Sequence, residues 1–151
     1  MKQTYLASDE KINLSIAIAE RERALLSRLD YKNGYSLYIG IPFCPSTCLY
    51  CSFTSYPLTA WKTQVDAYLD ALEKELNYVA AKNYHRKLNS IYIGGGTPTT
   101  LEPYQLDRLI RKIRCSFDLG DCLEFTVEAG RPDSITEEKL LVLRKNGISR
   151  I

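Results

Sequence analysis

The chain has 151 residues, of which 45% are hydrophobic and 25% charged, as expected for a globular domain that can bury a core. Its 20 basic and 18 acidic residues give a net charge of +2, which favours neither nucleic acid nor an anionic membrane as a partner. No apolar stretch approaches the roughly 18 residues that span a bilayer, and residues 1–10 lack the apolar segment of a signal peptide. Together with five cysteines, an odd number that argues against a disulfide framework, these features predict a cytoplasmic protein.

A helix is predicted near the start of the chain. Apolar residues recur at helical spacing over residues 9–29, mixed with charges, which indicates an amphipathic helix. Packing is the simplest explanation of its apolar residues, since no functional motif lies there. We therefore expect residues 1–35 to form an N-terminal helical extension, followed by a domain of residues 36–151.

Strands and helices alternate along the rest of the chain. Short apolar runs predict strands at 36–41, 90–93, 123–127 and 148–151. Helical periodicity predicts helices over 61–82, around 106–113 and around 140–143. For the last helix, Ser134 and Glu137 form a capping-box pattern, and Asn146-Gly147 marks the end.

This alternation is typical of an α/β fold with parallel strands and right-handed crossovers. A parallel sheet does not normally end on a newly begun strand, and a complete (β/α) barrel needs on the order of 250 residues. We therefore expect the first half of a TIM-like barrel, truncated, poorly stable by itself and prone to aggregation.

Three cysteines form the densest chemical motif. Cys44, Cys48 and Cys51, with spacings of x3 and x2, follow the first predicted strand, on the strand end where α/β folds place their chemistry. Thiolates suit iron–sulfur clusters and zinc. Three thiolates would leave one iron of a four-iron cluster open to a cofactor or substrate. A structural zinc site, which would normally need a fourth ligand, and packed free thiols are the alternatives.

The other potential metal ligands lie away from this motif. His85, the single histidine, falls in a polar stretch and is expected to be an exposed loop residue. Cys115 and Cys122 lack ligand spacing and are expected to be packed thiols.

Two further motifs follow the next predicted strands. The glycine turn, as we name residues 94–98, consists of Gly94, Gly95, Gly96, Thr97 and Pro98. Three successive glycines allow the backbone to approach a ligand and to expose its amides, although a tight strand–helix turn is the alternative. Glu128 ends the third strand on the same edge of the sheet, where a solvated strand end is the alternative.

At these residues the sequence resembles the radical S-adenosylmethionine (SAM) superfamily, whose signature is CxxxCxxC with an aromatic residue before the last cysteine. Tyr50 occupies that aromatic position. The longer match, from Tyr38 through Ser52-Phe53 to Tyr56-Pro57, resembles the oxygen-independent coproporphyrinogen III oxidase (coproporphyrinogen dehydrogenase) family. The resemblance implies that residues 36–151 are the N-terminal half of a partial (β/α) TIM-like radical SAM core.

The resemblance also implies the cofactors and their ligands. Cys44, Cys48 and Cys51 would hold a 4Fe–4S cluster, and the open iron would bind the amino and carboxylate groups of SAM. The other residues that it places at the cofactor are Tyr38, Tyr50, Gly94, Gly95, Gly96, Thr97, Glu128 and Arg131. Glu128 would accept a hydrogen bond from the ribose or amino group, and Arg131 would pair with a carboxylate of SAM or of a porphyrinogen propionate. Tyr38 has core packing as its alternative.

The implied reaction is the oxidative decarboxylation of coproporphyrinogen III to protoporphyrinogen IX in anaerobic haem biosynthesis. SAM would be cleaved by one electron from an unidentified donor, and no catalytic residue is assigned. Ser52-Phe53 replace the Gly-Cys of the best-known oxidases, a cysteine that haem chaperones of the same superfamily also lack. A haem chaperone is therefore the alternative function, and a structural metal-binding module is a third. We expect the 151-residue chain to be inactive alone.

Overall fold

The computed structural model describes residues 1–151 and divides into two compact units, Met1–Lys32 and Asn33–Ile151. The first unit contains α1 (Lys2–Tyr5) and α2 (Asp9–Leu26). Ser8 caps α2, because its hydroxyl accepts a hydrogen bond from the Lys11 amide. The predicted helix is present, and none of its residues is buried.

The second unit alternates strands with helices, as the sequence predicted. In chain order its elements are β1 (Gly34–Ile41), β2 (Phe43–Cys44), β3 (Tyr56–Pro57), α3 (Leu58–Trp61), α4 (Val65–Asn83), β4 (Lys87–Gly95), α5 (Pro103–Ser116), β5 (Glu124–Val127) and α6 (Glu137–Lys145). A three-stranded parallel sheet has the order β1-β4-β5, and β2 pairs in parallel with β3 in a separate two-stranded sheet. The expectation of an α/β fold with parallel strands is confirmed.

The two faces of the three-stranded sheet differ in chemistry. Successive side chains of a strand point to opposite faces, and on β1 Leu37, Ile39 and Ile41 are buried whereas Tyr38 is 63% exposed. The buried face forms one apolar cluster with residues of α4, α5 and α6. The opposite face, which we call the polar face, carries Ser36, Tyr38, Ser90, Tyr92, Glu124 and Thr126.

The segment before α4 departs from the prediction of one helix over 61–82. It forms the short helix α3, then a 3₁₀ turn at Lys62–Gln64, and only then α4. The reason is local, because Trp61 leaves helical geometry, with φ −118° and ψ 6°. Trp61 is the only tryptophan in the chain, and its ring packs edge-on against Tyr56 of β3 with ring centroids 5.0 Å apart.

The start of α6 also differs from the prediction. Thr136, not Ser134, is the N-cap, and its hydroxyl accepts a hydrogen bond from the Lys139 amide at 3.3 Å. The Ser134 hydroxyl is engaged elsewhere, with Thr99 and with the carbonyl of Arg131. A reciprocal capping box does occur in the protein, at the start of α5, between Glu102 and Gln105.

The C-terminal end of the chain agrees only in part with the sequence prediction. Asn146 caps α6 and Gly147 has a φ of +70°, which confirms the predicted helix end. The predicted strand at 148–151 is reduced to a single parallel bridge between Thr126 and Arg150.

Cys115 is exposed, so its prediction as a packed thiol is wrong. No helix in the structure has the combination of length and apolar character that crossing a bilayer requires.

Candidate functional site

A cavity of about 820 Å³ opens at the carboxyl ends of the parallel strands. It brings together most of the residues that the sequence singled out: Cys44, Cys48, Tyr50, Cys51, Gly95, Gly96, Thr97, Glu128 and Arg131. Gly94 and Tyr38 do not line it. Tyr38 faces a neighbouring cavity that Gly95 and Gly96 also line. Motifs that are up to 87 positions apart, from Cys44 to Arg131, therefore share one site, because parallel strands end on the same edge.

The cysteine loop, which we define as residues 45–51, leaves from β2. Cys44 lies in β2 and is buried, while Cys48 and Cys51 are half-buried on the loop, and all three thiols are free. The Cys51 amide donates to the Cys48 carbonyl at 3.0 Å, which forms a turn between the two cysteines.

The donor set fits an iron–sulfur cluster in its chemistry, since three free thiols line one cavity. The three sulfurs are nevertheless not gathered into a group that could hold a metal ion.

The glycine turn packs tightly against the strand that carries Cys44. A Cβ on Gly96 would lie 2.8 Å from the Phe43 carbonyl oxygen and 2.9 Å from the Cys44 sulfur. Gly95 has a φ of +109°, a conformation that favours glycine. The amides of Gly96 and Thr97 donate to the Ile41 and Phe43 carbonyls, both at 2.8 Å. These two amides are thus not free for a ligand, contrary to our expectation, and close backbone packing accounts for Gly95 and Gly96.

Glu128 is held by a tyrosine that the sequence analysis missed. The Tyr92 hydroxyl donates to Glu128 Oε1 at 2.5 Å, and this hydrogen bond raises the pKa of the Tyr92 phenol. The Tyr92 ring also stacks on Tyr38, with centroids 6.0 Å apart and an interplanar angle of 12°. Because Tyr38 is 63% exposed, it is not a core residue. Strand alternation was the available signal, since Tyr38 and Tyr92 are register partners on the polar face.

Arg131 reaches from the segment after β5 to the cysteine loop. Its guanidinium donates to both carboxylate oxygens of Asp133, to the Ser46 carbonyl and hydroxyl, and to the Cys48 sulfur. The cation lowers the pKa of the Asp133 carboxyl by direct hydrogen bonding. Its carboxylate partner in the structure is thus Asp133 of the same chain.

Tyr50 lies at the mouth of the cavity. Its side chain is 91% exposed, and a hydrogen bond with Cys48 raises the pKa of the phenol. The aromatic residue that precedes the third cysteine is therefore close to a candidate ligand and open to solvent.

A buried polar network behind the cavity was not anticipated. The Thr99 and Ser134 hydroxyls are 2.6 Å apart, and the Lys139 ammonium donates to the Thr99 carbonyl at 2.7 Å and to the Ser134 carbonyl at 3.1 Å. Lys139 is only 9% exposed. Nothing in the sequence distinguished it from a solvated lysine in the first turn of a helix.

Comparison with known proteins defines the class. Residues 38–151 match the radical SAM superfamily, and the chain belongs to that superfamily. It is 43% identical over 155 aligned positions to the oxygen-independent coproporphyrinogen-III oxidase-like protein HemZ of Bacillus subtilis, covering 100% of this chain and 31% of HemZ. It is 44% identical over 117 positions to the heme chaperone HemW of Bacillus subtilis, covering 77% of this chain and 30% of HemW.

A solved structure supports the fold. The chain superposes on coproporphyrinogen III oxidase (HemN) of Escherichia coli, a radical SAM enzyme, with a TM-score of 0.71 and 35% identity over 78% of this chain and 27% of that protein. The fold is therefore part of the radical SAM TIM-like fold, as expected. The chain spans less than a third of the length of each of these relatives.

Proposed function

We propose that this chain carries the cluster- and SAM-binding part of an oxygen-independent coproporphyrinogen III oxidase. One observation carries the proposal: the three cysteines, part of the glycine turn and Glu128 line one cavity within a region that matches the radical SAM superfamily. The identity of 43% along the whole chain with HemZ, an oxidase-like protein, supports the proposal.

In this proposal Cys44, Cys48 and Cys51 hold a 4Fe–4S cluster that leaves one iron open for SAM. When bound, the cluster and SAM supply one-electron cleavage of the sulfonium, and the protein contributes placement and the exclusion of water and oxygen. The packing of Gly96 against Cys44 supports a fixed position for one ligand relative to the glycine turn.

Glu128 is the proposed acceptor for the amino group or ribose of SAM. Its Oε1 already accepts from the Tyr92 hydroxyl, which restrains the carboxylate and leaves Oε2 for a ligand. Tyr38 stacks on the same tyrosine and offers its exposed ring to the cofactor or substrate. The substrate would be a porphyrinogen, whose propionate would lose a hydrogen atom, carbon dioxide and one electron to become a vinyl group. A separate one-electron donor would supply the electron that cleaves SAM, and an acceptor would take up the electron that the substrate releases.

A haem chaperone is the second candidate, because the identity to HemW, at 44%, is as high as that to HemZ, although over a shorter alignment. Such a protein would keep the cluster but bind and transfer haem without decarboxylation. The residues of the described cavity are compatible with both functions.

The deciding experiment uses the full-length protein that carries this region, purified without air and reconstituted with iron and sulfide. It is incubated with coproporphyrinogen III, SAM and dithionite, and the porphyrins are separated by mass. Vinyl products that depend on SAM and disappear in Cys48→Ala support the oxidase. Haem binding without vinyl product supports the chaperone. A colourless protein that contains zinc contradicts both.

A further inference from the structure

We propose that Arg131 is a positioning residue for the cysteine loop, and that it does not bind a carboxylate of SAM or substrate. The proposal rests on the proposed function in one respect, namely that Cys48 ligates the cluster. The observation behind it is that every N–H donor of the Arg131 guanidinium already has a hydrogen-bond partner within the protein.

A guanidinium has five N–H donors and no acceptor. The structure gives each donor of Arg131 a partner. Nε and Nη2 each donate one hydrogen bond to the Asp133 carboxylate. Nη1 donates to the Ser46 carbonyl at 2.9 Å and to the Cys48 sulfur at 3.5 Å. The second N–H of Nη2 donates to the Ser46 hydroxyl at 3.2 Å. The side chain is 25% exposed. A ligand carboxylate would have to displace Asp133, which already holds the planar fork in two-point geometry.

The backbone of Arg131 is fixed from behind. Its carbonyl accepts hydrogen bonds from the Ser134 amide at 3.0 Å and the Ser134 hydroxyl at 2.8 Å. Ser134 in turn contacts Thr99, and the buried Lys139 ammonium joins the carbonyls of both residues. Arg131 is therefore anchored to the segment that follows the glycine turn, and through its side chain it joins this segment to the cysteine loop.

This arrangement has two expected effects, one on the cysteine loop and one on the cluster. Three hydrogen bonds to Ser46 and Cys48 restrain the loop that carries two of the three candidate ligands. A cationic donor at a ligand sulfur also stabilises the more negative, reduced state of an iron–sulfur cluster, because hydrogen bonds to the sulfurs set the reduction potential. Arg131 thus acts on the cluster through Cys48.

The test compares the whole chain with Arg131→Met, which keeps the aliphatic stem but removes the donors, and with Arg131→Lys, which keeps the charge but loses the fork. The first readout is hydrogen exchange of the cysteine-loop amides in the chain without cluster, which we expect to be at least about tenfold faster in Arg131→Met. The second readout is the reduction potential of the reconstituted cluster, which we expect to become more negative. The third is the affinity for SAM per cluster, which we expect to change by less than about threefold.

The outcomes separate this proposal from the proposed function. A more than tenfold loss of SAM affinity with unchanged loop exchange and unchanged potential would make Arg131 a carboxylate ligand and overturn the positioning role. Faster loop exchange in a chain that takes up no cluster would support the contact and contradict the proposed function. If Arg131→Met does not fold, Arg131→Lys serves instead, because it loses the fork that reaches Ser46 and Cys48 together. Unchanged loop exchange in Arg131→Lys would then overturn the proposal.

Discussion

Gly96 lies where the glycine turn passes closest to a candidate cluster ligand. Its amide donates to the Ile41 carbonyl, and the space that a side chain would need is filled by the Phe43 carbonyl and the Cys44 sulfur. A backbone oxygen cannot move aside as the end of a flexible side chain can. A side chain at position 96 would therefore push Cys44 out of its place.

We predict that Gly96→Ala displaces β2 and reduces cluster binding. Overpacking of this kind costs about 1–3 kcal/mol in free energy of unfolding, and the iron and sulfide bound per chain after anaerobic reconstitution should fall to less than about half. Gly130→Ala is the matched control, since a Cβ there meets nothing within 4 Å although Gly130 lines the same cavity. Full iron content in Gly96→Ala would show that the close approach to Cys44 is unimportant.

At this scale the sequence named the residues but not all of their partners. The cysteines, the glycine turn and Glu128 were recognisable because their spacing and their position after strands carry information. The Tyr92–Glu128 pair and the contacts of Arg131 with Ser46 and Cys48 join residues from different elements, and such pairs depend on distances that only the fold defines. The buried Lys139 was not predictable, because its ammonium is satisfied by two carbonyls, which every residue has.

The helices and strands were predicted best where their periodicity continued for several turns or several alternations. The strands β1, β4 and β5 and the helices α4, α5 and α6 all appeared close to their expected positions. The exceptions are short and local. The helix predicted over 61–82 is interrupted at Trp61, whose ring packs on Tyr56, and the predicted N-cap Ser134 is used in a tertiary contact. The departure at Ser134 arises because a tertiary contact overrides a local preference.

We predict that Thr136→Ala lowers the free energy of unfolding by about 1 kcal/mol, since it removes the side-chain oxygen that accepts from the Lys139 amide. Thr136→Ser retains that oxygen and should retain most of the stability. Urea denaturation of the three proteins under the same conditions measures the difference. Equal midpoints for Thr136→Ala and the parent would place the N-cap elsewhere.

On the scale of the whole molecule, the candidate site belongs to one unit. Every residue that lines the main cavity lies within Asn33–Ile151, and the helices of Met1–Lys32 contain no buried residue.

We therefore predict that a chain of residues 33–151 binds as much iron and sulfide, and binds SAM with the same affinity within about twofold, as the chain of 151 residues. Anaerobic reconstitution followed by equilibrium dialysis with SAM measures both quantities. Circular dichroism of the shortened chain serves as the control for folding. A folded 33–151 chain with markedly less cluster would assign the first unit a part in the site.

The single tryptophan offers an optical probe of the same region. Trp61 contacts Tyr56, which is paired with Phe43 next to Cys44, so the indole is connected to the metal-binding motif through one strand pair. Iron–sulfur chromophores absorb where indole emits, so a bound cluster can accept energy from the excited indole. Fluorescence from this one residue should therefore dim as the chain is loaded and recover when the metal is chelated, without any label.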